Sequence, residues 1–271
     1  MPQRTDWESL PEALHAAVIA RTGPVLKART VSEGLNSALA AVLRTESGTV
    51  FVKGLRTDQP GVITQGREAL INAHVWPIAP ALLWHIEDVA GWNVLGFEHV
   101  EGRHPDYSPG SPDLPLVTEA LDLLAVLRCP DLPIKNHLRW RSYLDGQDPE
   151  ILAGGSLLHT DFNPANVLIT PDGTVRMVDW AWPTRGAAWI DACCLIIWLI
   201  ASGHTPAEAE AEVQQARAWR DAPPTAVDVF ALANIRLWDE IVSHKPSDWH
   251  RQMAEAARAW ADSRMVTVGT S

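Results

Sequence analysis

The residues with the clearest chemical content lie in one stretch, His159-Thr-Asp161-Phe-Asn-Pro-Ala-Asn166, followed thirteen residues later by Asp179 in VRMVDW. Moving a phosphoryl group needs little covalent help from a protein, because catalysis is mainly positioning and charge neutralisation. One carboxylate orients the acceptor hydroxyl and takes its proton. A second holds magnesium, and a neutral amide oxygen can complete the metal shell without adding charge. Asp161, Asp179 and Asn166 have the side chains for these roles in that order. Singly, each has an ordinary alternative: a turn or cap for Asp161, a loop hydrogen bond for Asn166, a surface carboxylate for Asp179. Jointly they are harder to dismiss, since His with Asp at +2 and Asn at +7 is expected about 0.02 times by chance in this composition.

Such residues need elements to hold them. Residues 7–22 carry Leu10, Leu14, Val18 and Ile19 at helical spacing, with Pro11 in the first turn and Ser9 as the cap. Residues 25–31 read as extended. Residues 38–44 fit helix or strand, and the turn Thr45-Glu46-Ser47-Gly48 before TVFVK favours a hairpin. A helix containing Glu68 is expected over 62–75, and strands over 81–87 and 92–98. Gly102 to Pro115 reads as a linker, and 114–128 as an amphipathic helix. Pro171-Asp172-Gly173 marks a turn between VLIT and VRMVDW. From about 186 the chain is mostly helical, with a break at Ala222-Pro223-Pro224. The expectation is an α+β fold of two lobes: a β-rich N-lobe over 1–101 and a larger, mainly helical C-lobe over 102–271. A ligand site is expected between the lobes.

The ordered motif resembles the aminoglycoside phosphotransferase family, within the protein-kinase-like superfamily. The hallmark is HxDxxxxN, a short hairpin and a DW pair, here His159, Asp161, Asn166 and Asp179-Trp180. The resemblance implies Asp161 as catalytic base, His159 as support of its loop, and Asn166 and Asp179 as magnesium ligands. It implies a nucleotide-positioning loop at SEGLNSALA, with Gly34, Asn36 and Ser37, although Gly34 alone reads equally as a hairpin glycine. Lys53 falls at the third-strand lysine that holds the α- and β-phosphates. Glu68 would be its helix partner, with Glu87 as the other candidate. LGFEHVEG resembles the hinge: Phe97 as gatekeeper, backbone groups of Glu98 and Val100 towards adenine. Asp191 would brace the catalytic loop. The usual G-D-P-x-x-D reads Gly186-Ala-Ala-Trp-Ile-Asp191 here, so Ala187 and Ala188 replace the first Asp and the Pro.

The function implied is an ATP- (or GTP-) and Mg²⁺-dependent kinase acting on a small-molecule hydroxyl. The acceptor is an antibiotic, as in antibiotic resistance by aminoglycoside phosphorylation, or a metabolite such as a sugar or amino alcohol. A nucleotide-binding pseudokinase module acting through a protein partner is the alternative, and retention of the base and metal ligands argues against it. A protein kinase ranks lowest, because the segment from Asp179 to Asp191 is short for a peptide-binding loop.

Composition narrows the classes. The 271 residues carry a formal net charge of −11 and no Lys/Arg cluster, which argues against a nucleic-acid partner. The most apolar run, 192–201, is half the length needed to cross a bilayer and reads as a buried helix, so no membrane partner is expected. Cys129 and the adjacent Cys193 and Cys194 do not form a disulfide framework, and the expectation is a cytoplasmic protein.

Overall fold

The computed structural model describes residues 4–31 and 37–268. The first elements are α1 (Glu12–Thr22), β1 (Val25–Thr30), β2 (Leu39–Thr45), β3 (Gly48–Arg56), α2 (Val62–Ile71), β4 (Leu82–Val89) and β5 (Trp92–Glu98). Then come α3 (Leu114–Ala125), β6 (Lys135–Asn136), β7 (Ser156–Leu158), β8 (Val167–Ile169), β9 (Val175–Met177) and β10 (Thr184–Gly186). The chain ends in α4 (Trp189–Ala201), α5 (Pro206–Val213), α6 (Arg217–Arg220), α7 (Pro224–His244) and α8 (Asp248–Val268). Two compact units result. One takes Met1–Arg103 with Thr170–Asp172 and Arg176–Ala181; the other takes His104–Ile169, Gly173–Val175 and Trp182–Ser271.

The first unit is an antiparallel sheet in the order β1-β2-β3-β5-β4. Gly48 supplies the tight return between β2 and β3 at a φ of 140°, which a side chain would resist. Side chains alternate across a strand. Val50 and Val52 of β3 therefore join the core with Leu14 and Val18 of α1 and with Leu39, Leu43 and Val94 of the sheet. Lys53, one residue on, faces the other way and meets α2 through Glu68.

In the second unit α4 packs against α5, α7 and α8. The apolar run of the sequence lies inside α4, where Ile190, Cys193 and Ile196 are fully buried. A three-stranded sheet places β10 between β6, to which it is parallel, and β7, to which it is antiparallel.

Some local expectations are corrected. Ser9 does not cap α1: it ends a 3-10 turn, and Pro11 takes the N-cap position without a side-chain bond. The helix expected over 62–75 stops at Ile71 and tightens into a 3-10 turn to His74. The amphipathic helix from 114 ends at Ala125, and Pro115 belongs to its first turn rather than to a linker.

Candidate active site

In the first unit, β3, α2 and the segment after β9 bring three charged side chains together. Lys53 Nζ lies 2.6 Å from Glu68 Oε2 and 2.7 Å from Asp179 Oδ1. Lys53 and Glu68 are almost wholly buried, while the Asp179 side chain keeps 23% of its exposure. Burial alone would lower the Lys53 pKa, but the two carboxylates outweigh it and raise it above the ordinary lysine value, so the group stays a cation. Burial raises Glu68, with Lys53 opposing and Asp179 reinforcing. Asp179 has a left-handed backbone, φ 61°. The buried Trp180 indole closes that bend by donating to the Met177 carbonyl at 3.1 Å, and the Met177 amide donates to the Ile78 carbonyl at 2.7 Å. Glu87, the other candidate partner for Lys53, is exposed on β4.

In the second unit, the loop after β7 carries His159, Asp161 and Asn166. Asp191, in the first turn of α4, accepts the His159 amide at 3.0 Å and the Thr160 amide at 2.8 Å, one on each carboxylate oxygen. Burial pushes its pKa up to about 6, against the pull of those two amides and of His159. The His159 ring is buried, accepts the Asp161 amide at 3.3 Å and stands edge-to-face with Phe162. Its place is thus inside the loop. Asp161 Oδ1 accepts the Asn163 amide at 3.2 Å, and Asn163 Oδ1 accepts the Ala165 amide at 3.0 Å. These successive turns lead to Asn166, whose Nδ2 donates to the Asp161 carbonyl at 3.4 Å. With its nitrogen so used, the Asn166 amide has its oxygen to offer a cation. An amide oxygen is a hard donor of the kind that suits magnesium.

Gly34 and Asn36 fall outside the described residues, and the carbonyl of Ser37 accepts from Arg4 at 2.6 Å. Phe97 is buried on β5 opposite Phe51 and Leu82. The Glu98 amide donates to the Ala81 carbonyl at 2.9 Å, and Val100 follows the end of β5. Where Ala187 replaces the expected Asp, the backbone is crowded: a Cβ on Gly154 would meet the Gly186 carbonyl oxygen and lie 2.6 Å from Ala187 Cα. Sequence reasoning missed Thr160, a β-branched residue held at φ 68°, for which no sequence signal exists.

No protein-family model matches the sequence, and no curated protein matches it. Solved structures match in fold. An aminoglycoside phosphotransferase from Alicyclobacillus acidocaldarius aligns over 97% of both chains with a TM-score of 0.64 at 15% identity. Choline kinase LicA from Streptococcus pneumoniae aligns over 93% of this chain and 99% of its own, with a TM-score of 0.63 at 14% identity. A thermostable mutant of aminoglycoside phosphotransferase APH(4)-Ia, in complex with ADP and hygromycin B, covers 92% of this chain and 99% of its own at a TM-score of 0.61 and 14% identity. The chain therefore has the α+β protein-kinase-like fold that these small-molecule kinases share.

Proposed function

We propose that the protein transfers the γ-phosphoryl group of ATP (or GTP) to a hydroxyl of a small molecule, with magnesium. The observation that carries the reading is the buried Lys53, held between Glu68 and Asp179 at 2.6 and 2.7 Å. A buried cation braced by a helix carboxylate is suited to hold polyphosphate oxygens as a point charge. Asp179 and Asn166 are our magnesium ligands. Among the described residues no cluster of three or more His, Cys, Asp or Glu side chains could hold a metal alone. A two-residue site completed by phosphate oxygens is the usual arrangement for magnesium, which neutralises phosphate charge there.

Asp161 is our base. Its carboxylate accepts the proton of the acceptor hydroxyl as the oxygen bonds to the γ-phosphorus, and the bond from phosphorus to the β,γ-bridging oxygen breaks to release the nucleoside diphosphate. Asp191 and His159 hold the loop that presents Asp161. On the adenine side, the Glu98 amide is already bonded to Ala81, so the Glu98 carbonyl and the Val100 amide are the groups assigned to the base, beside Phe97. Gly34, Asn36 and Ser37 are assigned to the phosphates. The acceptor is an antibiotic or an amino-alcohol or sugar metabolite; APH(4)-Ia is solved with hygromycin B, and LicA is a choline kinase. Among the described residues no helix is long and apolar enough to cross a membrane. A cytoplasmic setting is part of this proposal, on the odd cysteine count and the adjacent pair Cys193 and Cys194.

The test is Asp161→Asn. It should cut kcat by about 10²-fold or more and leave the Kd for MgADP, measured by calorimetry, within about twofold. Turnover equal to wild type would remove Asp161 from the reaction.

A further inference from the structure

Arg139 lies in the 3-10 segment His137–Tyr143, twenty residues ahead of the catalytic loop, in a stretch with no motif. Its Nη1 donates to Thr160 Oγ1 at 3.0 Å, to Thr184 Oγ1 at 2.8 Å and, at the limit of a hydrogen bond, to the Trp182 carbonyl at 3.5 Å. Both threonine hydroxyls also donate to that same carbonyl, at 3.4 and 2.8 Å. The guanidinium stands 5.0 Å from the Trp140 ring and 5.4 Å from the Trp182 ring. Packing between two indoles leaves it little freedom, and a planar fork loses less entropy per bond than a lysine chain would.

Thr160 needs such a partner. It is the residue between His159 and Asp161, and it is β-branched with a φ of 68°. That conformation is uncommon for any side chain and a genuine outlier for a branched one, so the surroundings must impose it. Asp191 fixes the backbone through the amides of His159 and Thr160. Arg139 fixes the side chain of the same residue through its hydroxyl. Thr160 is thus held at its side chain and at its backbone, one residue before Asp161.

We propose that Arg139 is a positioning residue for Asp161: it clamps the Thr160 side chain while Asp191 holds the Thr160 amide, and so holds the left-handed residue that presents the Asp161 carboxylate. The role deepens the phosphotransfer reading and rests on it for its kinetic consequence, though not for its effect on loop order.

The experiment is a double-mutant cycle of Arg139→Met and Thr160→Ala, with Arg139→Lys as the conservative variant. The probes are hydrolysis of MgATP with water as acceptor and amide hydrogen exchange at Thr160 and Asp161. Arg139→Met should lower kcat about tenfold, with the KM for ATP within about twofold, and should speed exchange at both amides at least about fivefold. Arg139→Lys should recover part of each loss. In the Thr160→Ala background, Arg139→Met should cost less than about threefold, because the bond it removes is already gone. The same fold loss in both backgrounds, or exchange at Thr160 and Asp161 equal to wild type, overturns the proposal. Should wild type turn over no MgATP, the phosphotransfer reading suffers, and amide exchange alone decides the clamp.

Discussion

At the scale of single residues, the triad of Lys53, Glu68 and Asp179 is the most consequential feature. One buried cation serves two carboxylates, so removing it takes away the positive charge that both share. Lys53→Met should raise the KM for nucleotide well above any change in the KM for acceptor. It should also destabilise the fold by about 3–5 kcal/mol, the usual cost of breaking a buried pair from one side. The double variant Lys53→Met, Glu68→Met should recover part of that loss, because packed apolar groups replace a buried pair at small cost. Urea unfolding of the three proteins decides it; a double variant as unstable as the sum of the singles would mean that the two side chains are not coupled. The residues of this triad were readable from the sequence to different degrees. Asp179 stood in a motif and Lys53 in a strand pattern. Glu68 was one of two candidates, and only the placement of α2 against β3 and β5 brings it, rather than the exposed Glu87, to the lysine.

At the scale of elements, Asp191 on α4 ties a helix to the loop after β7, and its burial makes the tie sensitive to pH. Its folded pKa of about 6 lies above the ordinary 3.8, so the folded protein binds this proton more tightly than the unfolded chain. The contribution to stability is fully present below about pH 4 and is lost as pH rises through about 6. Against Asp191→Asn, which does not titrate, wild type should therefore lose roughly 2 kcal/mol of relative stability between pH 4 and pH 7. Activity runs the other way. The ionised carboxylate accepts the two loop amides most strongly, so kcat should fall below about pH 6 in wild type; a flat limb there would detach the loop from Asp191. A second element-scale test concerns the join of β7 and β10. Gly154→Ala would push a methyl into the Gly186 carbonyl and Ala187 Cα and should cost about 1–3 kcal/mol. Gly155→Ala meets nothing within 4 Å and should stay within about 0.5 kcal/mol of wild type. Equal effects would show that the approach at Gly154 is not tight.

At the scale of the whole molecule, order along the chain was more legible than local geometry. Four strands of the first unit read as extended segments between turn residues, and the fifth, over 38–44, fits helix or strand until the turn after it is weighed; the chain after 186 reads as mostly helical. The clamp on Thr160 was invisible, because Arg139, Asp191 and Trp182 meet only after β6, β7 and β10 have paired, and a contact made across 21 to 31 residues leaves no local pattern. Ends of helices were also misjudged where backbone tightening, not a capping side chain, stops them, as at Ile71. The proposed acceptor is tested at this scale too. The most direct measurement is therefore a screen of hydroxyl-bearing acceptors, including aminocyclitols, choline, amino alcohols and sugars. Each is incubated with MgATP and read by mass for the gain of one phosphate, with wild type and Asp161→Asn side by side. The account predicts at least one acceptor that gains one phosphate with wild type and none with the variant. No phosphorylated acceptor and no nucleotide turnover, or equal products from both proteins, would contradict it.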